Sequence, residues 1–263
     1  QIFFPFFYPP SLWDDVLSGR ITSFFTSPNA VGLFLVPMLP LLVWQLFKFY
    51  QQKNQQYFVG LLIVGLAFVI AILFSFSQGA WIGLGTALII SLFFFGYRKI
   101  SLILVFLGII FAFSVAPIRE GILFKDRASE NRLILWRDSW QYLSSKPSNF
   151  IFGTGVRQFF RKIEKIHYNP KVMERLIYPH NIFLNFWTEV GLFGLIGFIG
   201  LMLVVGSWIL RSKEKTTTAI LIAVWVGLVV HGLVDVPYFK NDLAFLFWML
   251  IFFSWLFTKK EIA

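Results

Sequence analysis

The sequence predicts an all-α, polytopic membrane protein, and three observations carry that prediction. Of 263 residues, 57% are hydrophobic, 20% aromatic and only 14% charged, whereas a soluble domain has roughly 45–50% apolar and about 25% charged residues. Apolar runs of spanning length, about 20 residues, recur seven times, near 29–47, 57–76, 79–96, 100–117, 180–210, 216–236 and 241–257. The short connections between them carry their basic residues on one side of an alternating topology.

Taken in order, the runs set a topology. Lys48 and Lys53 lie between the first and second runs, and the two-residue connection Ser77–Gln78 leads into the third. Arg98 and Lys99 precede the fourth, and residues 118–178 then form one long loop. The fifth run is followed by Arg211, Lys213 and Lys215, and the seventh by Lys259 and Lys260. In a strictly alternating topology these basic residues all share one side, and the short loops opposite hold only Lys240. The positive-inside rule makes the basic side cytoplasmic, so the long loop lies outside. The expected divisions are 1–117, four helices with an N-terminal approach segment; 118–178, the extracytoplasmic loop; and 179–263, the last three helices. The chain opens on Gln1 with no recognisable cleavable signal, which reads as the C-terminal part of a longer protein.

The formal net charge of +10 is therefore no nucleic-acid signature: much of it follows from topology, and the rest sits in the outer loop. There, twelve basic residues stand against six acids. Anionic headgroups attract such residues, but arginine outnumbers lysine between 119 and 137, and arginine suits bidentate phosphate recognition. With no cysteine in the chain, the loop must be held by packing. Within it, ASENRLILWRDSWQYLSSKP reads as a helix with Ser129 as N-cap and Glu130 in the first turn. Leu133, Trp136, Trp140 and Leu143 form an apolar stripe suited to the membrane interface, with Arg132 and Arg137 off it. The G-x-G of FIFGTGVRQFF, at Gly153 and Gly155, reads as a turn rather than a phosphate loop.

Candidate chemistry gathers at IYPHNIFLNFWTEVGLFGLIGF, Ile177–Phe198. Polar groups in lipid need partners, yet on a helix running inward Asn181, Asn185, Thr188 and Glu189 share one face below His180. Asn and Thr there also suit an interhelical hydrogen-bond seam. Tyr178–Pro179 restricts the backbone ahead of the imidazole. Near the outer end of the sixth run, His231 and Asp235 stand four apart, where a carboxylate can orient an imidazole. No H-x-x-x-H and no outer D-x-D suggests a metal, and Asp14–Asp15 reads as a solvated pair. Base plus cations is the chemistry on offer, with no metal and no cofactor implied.

In order along the chain, TSFFTSPNAVGLFL, SQGAWIGLGTAL, ENRLILWRDSW, FGTG, YPHNIFLNFWTEVGLFGLIGF and HGLVDVPYF resemble the O-antigen ligase and polymerase superfamily, from about Arg20 to Pro237. Fuller members have about ten to twelve membrane helices in a GT-C-like bundle, so the resemblance implies that several are missing here. It implies transfer of a glycan from undecaprenyl diphosphate to a lipid, sugar or protein hydroxyl, with inversion, at the outer face of the bacterial cytoplasmic membrane. The family's histidine before asparagine falls on His180, and its loop arginines on Arg127, Arg132 or Arg137; beside these, the residues themselves suggest Asn181, Glu189, His231, Asp235 and Gln78 in support and Arg157 as a further diphosphate contact. One departure stands out: the family often has Ser-Arg-Gly where this chain has Ser77–Gln78–Gly79, and Arg20 is the candidate replacement for the missing cation.

The rival expectation is a membrane transporter, for inorganic carbon or another small anion. A transporter places polar residues near the midplane, in repeats or broken helices. No internal repeat is visible in the sequence, and His180, His231 and Asp235 fall at the outer edge of their runs.

Overall fold

A computed structural model describes residues 20–23, 25, 27–163, 177–237 and 241–262, giving backbone alone at 117, 127, 241–242 and 260–262. Every regular element among them is helical. Apolar runs give α1 (Pro28–Gln51), α2 (Gln55–Phe74), α3 (Gln78–Phe94) and α4 (Arg98–Ser114). The loop region folds as α5 (Ala116–Ile122), α6 (Arg127–Ser145), α7 (Pro147–Phe152) and α8 (Phe159–Lys162). Then follow α9 (Ile182–Val190), α10 (Leu192–Arg211), α11 (Lys215–Gly232) and α12 (Asn241–Ile262).

The chain is a multi-pass membrane protein. Among the described residues, α1, α2, α10 and α11 are long and apolar enough to cross a bilayer, with α3 and Leu243–Lys259 of α12 as shorter apolar helices. Large apolar residues such as Ile63, Leu66, Leu102, Phe106 and Leu203 are exposed, as a lipid-facing surface requires.

Two local expectations are corrected. The N-cap of α6 is Asp126, whose carboxylate accepts from Ser129 N at 2.7 Å, three residues before the expected Ser129. More consequentially, the fifth apolar run is not one helix. Gly191 takes φ +84 between α9 and α10, a backbone region that favours glycine. The ring of Phe186 stacks on that of Phe198 at 4.2 Å, whereas the twelve residue steps between them in a straight helix would hold them about 18 Å apart. The chain folds back at Gly191, and α9, with nine residues, is far too short to span a hydrocarbon core of about 30 Å.

The described residues form two compact units. One gathers those of Gln1–Phe106, Trp208–His231 and Pro237–Ala263. Its core sets Val31, Val36 and Leu39 of α1 against Ile72 of α2, Ala80 of α3 and Leu243 of α12. Helices α3 and α11 cross so closely that a Cβ on Gly83 would sit 2.9 Å from Gly227 O, the small-residue contact typical of membrane helices. Leu41, Trp44, Thr217, Ile220, Leu221 and Phe257 line one crevice. The basic ends of α1, α11 and α12 therefore lie together, and Lys48 and Lys259 each cover a tryptophan of their own helix, Trp44 and Trp255.

The second unit comprises Leu107–Ser207 and Gly232–Val236. Leu135 of α6 packs with Phe159 and Ile163, and Tyr142 closes on them. Of the supposed interfacial stripe, Leu143 is fully buried and Trp136 partly so, while Leu133 and Trp140 stay exposed.

Candidate functional site

The second unit fixes one short segment from several directions. His180, just before α9, adopts φ +50, a left-handed conformation that costs a non-glycine residue about 1–2 kcal/mol and persists only where its surroundings impose it. They do so here. Trp136 Nε1 of α6 donates to Pro179 O at 2.8 Å. Asn181 is the N-cap of α9, its Oδ1 accepting from Phe183 N at 3.1 Å and Leu184 N at 3.0 Å. Its Nδ2 donates to Leu233 O at 3.0 Å, so one side chain starts the helix and ties it to the 232–236 segment. The Tyr178 ring lies 4.5 Å from the imidazole.

The tied segment brings Asp235 to His180. Oδ1 of Asp235 lies 3.5 Å from Nδ1 of His180, with side chains 3% and 15% exposed. That distance is long for a hydrogen bond, yet it sets a carboxylate oxygen directly behind the ring nitrogen. Asp235 is itself oriented by Val236 N, which donates to Oδ1 at 2.8 Å. Arg132 Nε donates to Val234 O at 3.1 Å, bringing an α6 guanidinium to the residue preceding Asp235. Contacts that no spacing could foretell thus bring His180, Asn181, Arg132 and Asp235 together.

The polar face of α9 has a different surrounding from the one expected. Asn185, Thr188 and Glu189 are buried, on a helix seated against α7 and the turn that follows it rather than descending a membrane span. Trp187 Nε1 donates to Phe150 O at 2.9 Å, and its ring packs edge-on against Phe150 and Trp140. Gly153 passes so near α9 that a Cβ there would sit 2.4 Å from Thr188 O. Thr154 Oγ1 donates to the same carbonyl at 2.9 Å. Glu189, 2% exposed, accepts from Arg157 N through Oε2 at 2.9 Å. Burial pushes the Glu189 carboxyl above its usual proton affinity, against the opposing pull of the Arg157 N–H and of the Arg157 charge.

His231 belongs to the first unit, buried with Nε2 3.5 Å from Ser77 Oγ. The expected i, i+4 relation with Asp235 is corrected because α11 ends at Gly232, and the ion pair of Asp235 is made with His180. Arg20 Nε donates to Ser75 O at 2.9 Å, close in sequence to Ser77, the N-cap of α3, and to Gln78, its first residue. Arg137 and Arg157 are exposed, and Arg127 opens α6, its side chain outside the described part. The expectations for Asp14–Asp15, Lys165, Lys171, Arg175 and Lys240 lie outside the described residues. Among the described residues, no three His, Cys, Asp or Glu side chains gather in a way that would hold a metal ion.

Sequence reasoning missed two positioning residues, Trp136 and Thr154. Trp136 was read as apolar stripe, although a half-buried indole N–H needs an acceptor. Thr154 sits within a glycine turn, where its hydroxyl had no visible partner.

A protein-family model described as O-antigen ligase matches residues 62–199, just over half of the chain and including Arg132, His180 and Glu189. No curated protein and no solved structure matches.

Proposed function

The chain belongs to the O-antigen ligase family, and from that membership we propose that it transfers a glycan from an undecaprenyl-diphosphate carrier to an acceptor hydroxyl, with inversion. The acceptor is a hydroxyl of a lipid, a sugar or a protein. The setting is the bacterial inner membrane, with the long loop and His180 on the extracytoplasmic side. The observation that carries the reading is His180 itself: a strained, tethered, partly exposed imidazole with Asp235 3.5 Å behind Nδ1.

The chemistry follows from that geometry. With Nδ1 toward Asp235, Nε2 is the nitrogen that takes the acceptor hydroxyl's proton. The freed oxygen bonds to the anomeric carbon as the bond from that carbon to the diphosphate oxygen breaks, and the electron pair leaves with undecaprenyl diphosphate. Attack opposite the leaving group inverts the centre. Asp235, behind Nδ1, stabilises the imidazolium that forms. Arg132, with Arg127, offsets charge on the departing diphosphate, and Arg137 and Arg157 help to bind that group in the resting donor. Arg20, anchored at Ser75 O, brings a guanidinium to the corner where Gln78 replaces the family's arginine. Cations do this work, so the proposed reaction runs without a divalent metal.

The test is direct. Purified full-length protein, given a lipid-linked glycan and an acceptor, should release undecaprenyl diphosphate and yield acceptor-linked glycan, in EDTA as in its absence. No release overturns the reading. Loss of turnover in EDTA, restored by Mg²⁺ or Mn²⁺, overturns the metal-free mechanism alone.

A further inference from the structure

The mechanism above gives Glu189 no task, although burying a carboxylate is costly and a buried one needs a reason. Its surroundings supply one. The turn after α7 holds three left-handed residues within five positions, Gly153 (φ +66), Gly155 (φ +91) and Arg157 (φ +59). The two glycines adopt that backbone freely, but Arg157 does not, and something must hold it there.

Three bonds do. Thr154 Oγ1 ties the start of the turn to Thr188 O at 2.9 Å. Lys162 Nζ donates to Thr154 O at 2.6 Å from the far side. The end of the turn is held by Glu189, whose Oε2 accepts from Arg157 N at 2.9 Å, a bond strengthened by the negative charge of its acceptor. The carboxylate thus grips the backbone of Arg157 and leaves its side chain exposed. Among the described residues, no carboxylate makes an ion pair with that guanidinium.

We propose that Glu189 is a positioning residue: its buried carboxylate clamps the 153–158 turn through Arg157 N–H and so presents the Arg157 guanidinium to the diphosphate of the lipid-linked donor. This rests on the glycan-transfer reading above and adds to it a residue that touches no substrate. Arg157 grips a group already charged in the resting donor, so the clamp governs donor KM rather than kcat.

A double-mutant cycle on the full-length protein tests it, with lipid-linked glycan as the varied substrate and thermal melting as the control for folding. Glu189→Ala should raise donor KM about tenfold, the scale of a lost charge-assisted hydrogen bond, and change kcat less than about twofold. Glu189→Gln, whose amide oxygen still accepts from Arg157 N, should stay within about threefold of wild type. Thr154→Val, which loosens the same turn from its other end, should raise KM about threefold. In an Arg157→Ala background, where the backbone N–H remains and the guanidinium is gone, these substitutions should have no further effect on KM. The same rise in both backgrounds overturns the proposal, because Glu189 would then serve the fold and not the arginine. A fall in kcat at constant KM overturns it too, as does an Arg157→Ala variant with unchanged donor KM. If Glu189→Ala does not insert, the Thr154→Val and Glu189→Gln cycles decide by the same criteria. Wild-type protein that releases no undecaprenyl diphosphate ends the transfer reading itself; an active wild type with an additive cycle ends only this inference.

Discussion

His180 and His231 make a natural comparison, because each has a ring nitrogen 3.5 Å from a polar oxygen in its own unit. Everything else about them differs. His231 lies in the last turn of α11, is 1% exposed and packs where small residues bring helices together: a Cβ on Gly32 would meet its Cε1 at 2.9 Å, and one on Gly83 would meet its Cβ at 3.3 Å. Its partner is a hydroxyl. His180 sits outside any helix, in a left-handed conformation, with part of its ring open and a carboxylate behind it. A polar contact distance therefore says little about role. Backbone strain, access and the charge of the partner separate a histidine that fills a helix crossing from the one proposed here for proton transfer.

The comparison can be broken at its strongest point first. His180→Ala should lower turnover by about 10²–10⁴, the range for a lost general base, while membrane insertion and melting stay as in wild type. Retention of more than about half the turnover removes His180 from the role of base. Next comes the cation beside it. Arg132→Lys should lower turnover by about 10²–10³, roughly 3–4 kcal/mol of barrier, because lysine cannot hold Val234 O and also present a planar fork to phosphate. Arg137→Lys, on an exposed side chain, should remain near wild type. Equal, mild losses at both positions would reduce α6 to a headgroup-binding surface.

His231→Ala tests the other half of the comparison. Removing a buried ring from a tight crossing should cost about 2–4 kcal/mol of stability, read as a lower melting temperature, with kcat per folded molecule little changed. A folded variant with no turnover would mean that His231 takes part in the chemistry. The smallest effect expected is that of Glu189→Gln on melting. Folding raises the proton affinity of Glu189 above the ordinary value of 4.5, so the folded state keeps a proton that the unfolded chain releases. Stability is then lost as pH rises above about 4.5. The variant is spared that loss: its melting temperature relative to wild type should rise between pH 4 and pH 7, and a difference independent of pH would contradict the burial of the carboxylate.

What the sequence made legible follows from what each signal measures. Apolar runs show hydrophobic length, and the helices fall where the runs do. They do not show direction: glycine is common inside membrane helices, so Gly191 in EVGLFGLIGF gave no sign that the chain turns there. The other end of that error was visible. Asn181 after Pro179 and before an apolar run is a helix-start signature, and α9 does begin at Ile182. Of the proposed site, His180 and Asn181 were singled out by residue type and proximity to the loop, and Arg132 only as one of three loop arginines. The partner of His180 was not, because Asp235 is 55 residues away and its nearer histidine, His231, offered a simpler pairing that only an unbroken helix would allow.

The reversal at Gly191 also separates two requirements of length. Were residues 180–211 one rod, the height of His180 above the bilayer would be set by hydrocarbon thickness, at about 1.5 Å per residue, and a thicker or thinner membrane would raise or lower it. Folded back, α10 can tilt to match its lipids while the Pro179, Asn181 and Asp235 tethers keep their own geometry. Substitutions that lengthen or shorten the apolar stretch of α10 beyond Phe198 are thereby tuned to the membrane in which the protein resides and not to the reaction it performs.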